Sequence, residues 1–218
     1  TAAARIGNRF LEGKDAEFHT HPQFINESIS KLNNALSEGR YFYVDILAQG
    51  IVLYDSGEYQ LATPRDLNYP EIRKMAQKYY NNRFIEASRF FETAKFNYLK
   101  EWYVIASFQL HQATENFIKT IPLVYILYGH KEHDLELLIE KCKPYTLELS
   151  KVFPRDTPEE ERLFRLLQRA YVEARYNDDF VVTKEDIDAL TPKVELLRDI
   201  TEKVCRDRIA EYDRMNGK

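Results

Sequence analysis

The stretch FQLHQATENFIKTI, residues 108–121, has the apolar spacing of a buried helix, yet it carries His111, Gln112, Glu115 and Asn116. At about 100° per residue, Ala106, Leu110, Ala113, Phe117 and Ile121 fall on one narrow face, which makes them the core stripe. Ser107, His111 and Glu115 follow at i, i+4 spacing on the flank beside it, bordered by Val104 and Ile118. Buried polar groups need hydrogen-bond partners, so this mixed flank faces a partner molecule, a ligand or another part of the same chain.

The same helical periodicity extends from Pro70 to the C-terminal region. A first segment runs from about Pro70 to Leu99, with proline in the opening turn where its missing N–H costs nothing. The segment around the quoted stretch runs from Glu101 to Tyr128, with Pro122 expected to kink it and Gly129 to cap its end. A third begins at HDLELL, with Asp134 placed as its cap and Pro144 interrupting it. A fourth begins at TPEEERLF, where Thr157, Pro158 and Glu160 form a capping-box start. A fifth begins at TKEDIDAL, with Thr183 and Asp186 as a weaker version of that start, and reaches about Tyr212. Short connections between long amphipathic helices predict an antiparallel up-and-down bundle.

Residues 1–68 read differently. QFINESISKLNNALSEG is helical and ends at Gly39, whereas IVLYDSGEYQLA alternates around Asp55-Ser56-Gly57 and predicts a hairpin. AEFHTH, residues 16–21, adds one more short strand. The expected fold is therefore mostly α: a helical bundle over residues 69–218, preceded by a small α/β remnant over residues 1–68.

Composition narrows the class of protein. The chain has 218 residues, 44% hydrophobic and 30% charged, which is an ordinary globular balance. Lysine and arginine total 31 against 35 acids, so no overall positive field draws the protein to nucleic acid or to a membrane. Its two cysteines, Cys142 and Cys205, sit in helical patterns, which excludes a disulfide framework and predicts a reducing, cytoplasmic setting. No apolar run approaches the roughly 20 residues that span a bilayer, and the start lacks a secretory signal pattern. The opening TAAARIGNRF has no methionine, so the chain reads as a piece of a longer one.

Three stretches together carry a resemblance: ASFQLHQATENFIKTI at 106–121, HDLELL at 133–138 and AYVEARY at 170–176. In this order and spacing they resemble the HEPN family (higher eukaryotes and prokaryotes nucleotide-binding domains). The preceding EGRYFYVDILAQGIVLYDS looks like the closing segment of a minimal nucleotidyltransferase domain. The resemblance implies a HEPN bundle that binds a nucleotide or nucleotide-bearing substrate and dimerises, accessory to an upstream transferase domain. In such an intact protein, of toxin–antitoxin type, magnesium and a nucleotide would be the cofactor and substrate of a nucleotidyltransferase. The Gly-Ser and Asp-x-Asp signature of that enzyme is not found here: there is no Gly-Ser, and Asp186-x-Asp188 lies in the fifth helical pattern. HEPN ribonucleases carry a histidine four to six residues after an arginine. All five histidines of this chain precede Arg175, so that route to acid–base chemistry is lost, and RNA is a partner with no support in the sequence.

The candidate nucleotide-binding residues are His111, Glu115, Arg175 and Tyr176. Arg175 suits a phosphate through its planar fork, or a structural ion pair near a helix end. His111 and Glu115 suit a polar pocket, or a hydrogen-bonded pair inside the core. In GHKEHD, His130 and His133 read as loop and cap residues rather than as a metal site, since Cys142 is the one soft ligand nearby. Tyr79, Tyr80, Phe84, Phe90, Phe91, Phe96 and Tyr98 cover more than one helix face, and the surplus predicts a hydrophobic homodimer interface.

Overall fold

Seven α-helices and one 3-10 turn make up the described residues, 25–129 and 131–215, of the computed structural model. They are α1 (Ile29–Ser37), α2 (Tyr41–Gln49), α3 (Tyr69–Leu99), α4 (Tyr103–Tyr125), α5 (Leu135–Cys142), α6 (Pro158–Tyr176) and α7 (Lys184–Met215). The 3-10 turn, Glu148–Lys151, lies between α5 and α6. No described helix is long and apolar enough to cross a membrane.

The helix starts follow from local chemistry. Asn68 and Glu71 form a reciprocal capping box at α3, with Pro70 in the first turn. Thr157 and Glu160 do the same at α6, and Asp134 caps α5 by accepting from the Leu137 N–H. At α7 the Asp186 N–H donates to Thr183 Oγ1 and the Thr183 N–H to Asp186 Oδ2, so this start is as complete as the others. Asp186 also pairs with Arg162, and Asp188 with Lys184, which gives both members of the Asp-x-Asp pair a structural task.

Helix α4 is the centre of the bundle: it packs against α3, α5, α6 and α7, while α3 also meets α7. A helix with neighbours on every side is buried all round, and this explains the polar content of the opening stretch. The core stripe Ala106, Leu110, Ala113, Phe117 and Ile121 is fully enclosed, and so are Ser107, His111, Thr114 and Thr120 on the other faces. The small hydroxyls satisfy themselves locally, Ser107 on Val104 O, Thr114 on Leu110 O and Thr120 on Asn116 O. Asn116 spans two helices, donating to Gln112 O and accepting from Arg83 of α3.

Two details depart from the sequence reading of α4. The helix ends at Tyr125, and Leu127, at φ 58°, takes the left-handed position assigned above to Gly129. Pro122 lies within the helix and deprives the Ile118 carbonyl of its usual donor. Cys142 Sγ–H supplies a replacement at 3.6 Å. The Tyr212 hydroxyl lies 3.0 Å and 3.2 Å from the carbonyls of Val124 and Tyr125, donating its one hydrogen between these helix-end acceptors.

The expected hairpin at residues 51–62 is the main correction, for no strand occurs among the described residues. The turn itself forms: Gly57 has φ 70°, its N–H donates to Asp55 Oδ1, and the Glu58 N–H donates to Ser56 Oγ. The two legs do not pair because the returning leg bonds elsewhere. Asn33 of α1 donates to Gln60 O at 3.0 Å and accepts from the Ala62 N–H at 2.7 Å. A lone two-stranded ribbon is marginal in water, so one bidentate amide suffices to divert it. Gly39, at φ 67°, ends the α1 region as expected. The strand read at residues 16–21 lies outside the described residues.

The aromatic surplus of α3 is mostly absorbed within one chain. Tyr80 and Phe91 are core residues, and Tyr79, Phe84, Phe90 and Tyr98 pack against that core. Phe96, 53% exposed, is the member of the set left facing solvent.

Candidate functional site

The mixed flank of α4 is closed by the chain itself, and Glu115 is its hub. This carboxylate is only 5% exposed. Lys119 Nζ lies 2.8 Å from its Oε1, one helical turn further on. His133 Nδ1 approaches Oε2 to 3.0 Å from the connection before α5. His111 Nε2 lies 3.4 Å from the same oxygen. Burial opposes ionisation of such an acid, but the contacts with His111, Lys119 and His133 outweigh it and hold the carboxyl down at about 2, from an ordinary 4.5.

His111 is fully buried, and its Nδ1 lies 3.0 Å from the Leu167 carbonyl of α6. A carbonyl only accepts, so Nδ1 carries the hydrogen. Nε2 makes no hydrogen bond among the described residues, its 3.4 Å approach to Glu115 being a loose contact. His111 and Glu115 are thus both enclosed under α6 and the residues before α5, but each finds its hydrogen-bond partners elsewhere rather than in the other.

Tyr171 of α6 joins this buried network to the surface. Its ring stacks on His133, with centroids 4.5 Å apart and planes 14° apart, and on His111 at 5.1 Å and 27°. The Arg175 guanidinium lies 4.6 Å from the same ring, 5.4 Å from Phe108 and 5.0 Å from Tyr176. All three distances are within cation–π range. Arg175 Nε donates to the Tyr171 carbonyl at 2.8 Å, which fixes the group at the end of α6. Arg175 has no carboxylate partner among the described residues, so the ion pair considered for it does not form there. Its remaining N–H groups stand in an exposed position beside Tyr176, which is 75% exposed.

The four residues singled out in the sequence therefore belong to one neighbourhood with two layers. His111 and Glu115 are its buried layer, Arg175 and Tyr176 its surface, and Tyr171 connects them. Sequence reasoning missed Tyr171, Lys119 and His133. Lys119 is at i+4 from Glu115 and Tyr171 is four before Arg175, so both carried a helical-spacing signal. His133 carried none, because its contact to Glu115 depends on how the connection folds back.

No three His, Cys, Asp or Glu side chains converge as a metal site among the described residues. Cys142 is buried, and this pushes its thiol up to about 12, so it is an inert core group. His130 lies outside the described residues.

An all-helical bundle with a polar hub and an arginine held among aromatic rings is the class that fold and site define. Residues 80–204 match the HEPN domain, and this span is more than half of the chain and contains every residue of the neighbourhood above. The chain belongs to the HEPN domain family. No curated protein matched it.

Proposed function

We propose that this chain is a HEPN module that binds a nucleotide or a nucleotide-bearing substrate and dimerises, in the service of an upstream nucleotidyltransferase domain. The observation that carries the reading is Arg175: a fixed, exposed guanidinium without a carboxylate partner among the described residues, set among Phe108, Tyr171 and Tyr176. A guanidinium of this kind grips phosphate oxygens through paired N–H groups, and an exposed tyrosine ring accepts a base by stacking. Calorimetric titration with ATP and GTP tests it. Hydrogen bonds to charged groups contribute about 1.5–3 kcal/mol, so Arg175→Ala is expected to weaken binding about 10- to 100-fold. Equal affinity in the variant would contradict the reading.

The dimer is supported by a surface that keeps only Phe96 of the aromatic set read in the sequence. Phe96, Leu99, Trp102 and Ile105 are each exposed, close in the chain around the α3–α4 turn. Sedimentation equilibrium over micromolar concentrations is expected to give twice the chain mass, whereas a clean monomer at the highest concentration would oppose it. The link to a transferase domain, with the division near residue 68, is supported by Ile51, Val52, Leu53 and Tyr54, four consecutive apolar residues exposed before the bundle. Such a run suits a segment that packs on further structure.

A further inference from the structure

We propose that His133 and Arg175, which both lie against the Tyr171 ring, together bind the phosphate of the ligand, with Glu115 as the positioning residue for the imidazole. This rests on the nucleotide reading above and deepens it: the site selects the phosphate end of the ligand rather than its base.

The argument starts from how His133 is held. Its backbone neighbours are tied on the C-terminal side, where Asp134 caps α5 and the Leu135 N–H donates to Gln168 Oε1 of α6 at 2.8 Å. The ring is fixed on two further counts, by the 14° stack on Tyr171 and by the 3.0 Å contact of Nδ1 with Glu115. An ionised carboxylate only accepts, so Nδ1 carries a hydrogen and Nε2 is left as the free ring nitrogen. The side chain is half exposed, and Nε2 has no partner among the described residues. A preorganised group with one unused polar atom at the surface suits a ligand, because the ordering cost is met in the folded protein.

Arg175 of α6, on the same Tyr171 ring, is the charge that favours an anion there, since Lys119 of α4 is matched to Glu115. The acids adjoining in the chain are Glu132 and Asp134 beside His133, and Glu173, Asp178 and Asp179 beside Arg175, with Glu173 paired to Arg169. Glu132 is engaged by Lys141, and Asp134 by the helix cap. Glu115 is shared among Lys119, His133 and His111. With a hydrogen on each nitrogen, the imidazole of His133 donates inward to Glu115 and outward to a phosphate oxygen, while Arg175 donates to a second oxygen.

The test is calorimetric titration of the full chain with ATP, GTP, adenosine, guanosine and tripolyphosphate. His133→Phe keeps a ring to stack on Tyr171 but removes both nitrogens. His133→Gln keeps a donor toward Glu115 without the ring, and melting curves establish that each variant is folded. The expected result is that nucleotides and tripolyphosphate bind the wild type at least about tenfold more tightly than the nucleosides, by the tenfold that one such charged contact is worth. Both variants should lose about that factor for the phosphate-bearing ligands and keep their nucleoside affinity. Unchanged nucleotide binding in both variants, or nucleosides binding as well as nucleotides, would overturn this inference while leaving the nucleotide reading intact. Binding of neither nucleotide nor tripolyphosphate by the wild type would overturn both.

Discussion

Replacing Glu115 by leucine is expected to destabilise the protein by about 3–5 kcal/mol, the usual cost of removing one partner of a buried ion pair. The loss comes from Lys119, whose side chain is 11% exposed and whose nearest acid is Glu115. Adding Lys119→Met to Glu115→Leu should restore a good part of the stability, since an apolar pair leaves no stranded charge. Urea unfolding of the two single variants and the double variant measures this directly. Acid should expose the same group. The folded-state value of about 2 lies below the ordinary 4.5, so ionised Glu115 contributes its full stability above about pH 4.5. That contribution, on the order of 3 kcal/mol, is lost as pH falls from there toward 2. Glu115→Gln should remove this part of the acid dependence, and an unchanged slope of stability against pH would contradict the assigned role.

Phe117→Ala should cost a comparable amount, about 3–5 kcal/mol. The ring is fully buried on the central helix and lies 5.3 Å from Phe84 of α3, while the Phe117 carbonyl accepts from the Thr201 hydroxyl of α7. Three helices meet at this residue, and truncation leaves a cavity that none of them can close alone. Ile85→Ala, on the exposed side of α3, is the control and should change stability by no more than about 0.5 kcal/mol. Chemical denaturation of both variants separates a core role from a surface role. Similar losses at the two positions would mean that α4 is not the centre of the bundle.

The helices were legible in the sequence because their signals are local. Asp134, Thr157 with Glu160, and Thr183 with Asp186 all cap where their spacing indicates, and the stripe from Ala106 to Ile121 is the core face. The hairpin was misread for a non-local reason. Alternation around Asp55-Ser56-Gly57 describes a turn correctly, but nothing near it reveals that Asn33 will take both Gln60 and Ala62. The early end of α4 has a related cause: Leu127 adopts a left-handed backbone that composition assigns to glycine, two residues before Gly129. In the site, Glu115 and His111 drew notice as polar groups on an apolar helix, and they form a buried layer in which Glu115 is held by Lys119 and His133, and His111 by the Leu167 carbonyl. His133 and Tyr171, which carry that layer to the surface, are 38 residues apart in the chain and meet only through packing.

A crystal structure of the protein with bound ATP tests the central claim most directly. The account predicts a phosphate group within hydrogen-bonding distance of the Arg175 guanidinium and His133 Nε2, with Glu115 still holding His133 Nδ1. ATP bound elsewhere, such as in the aromatic cleft lined by Tyr41, Tyr79 and Tyr128, with Arg175 and His133 free of phosphate, would contradict it.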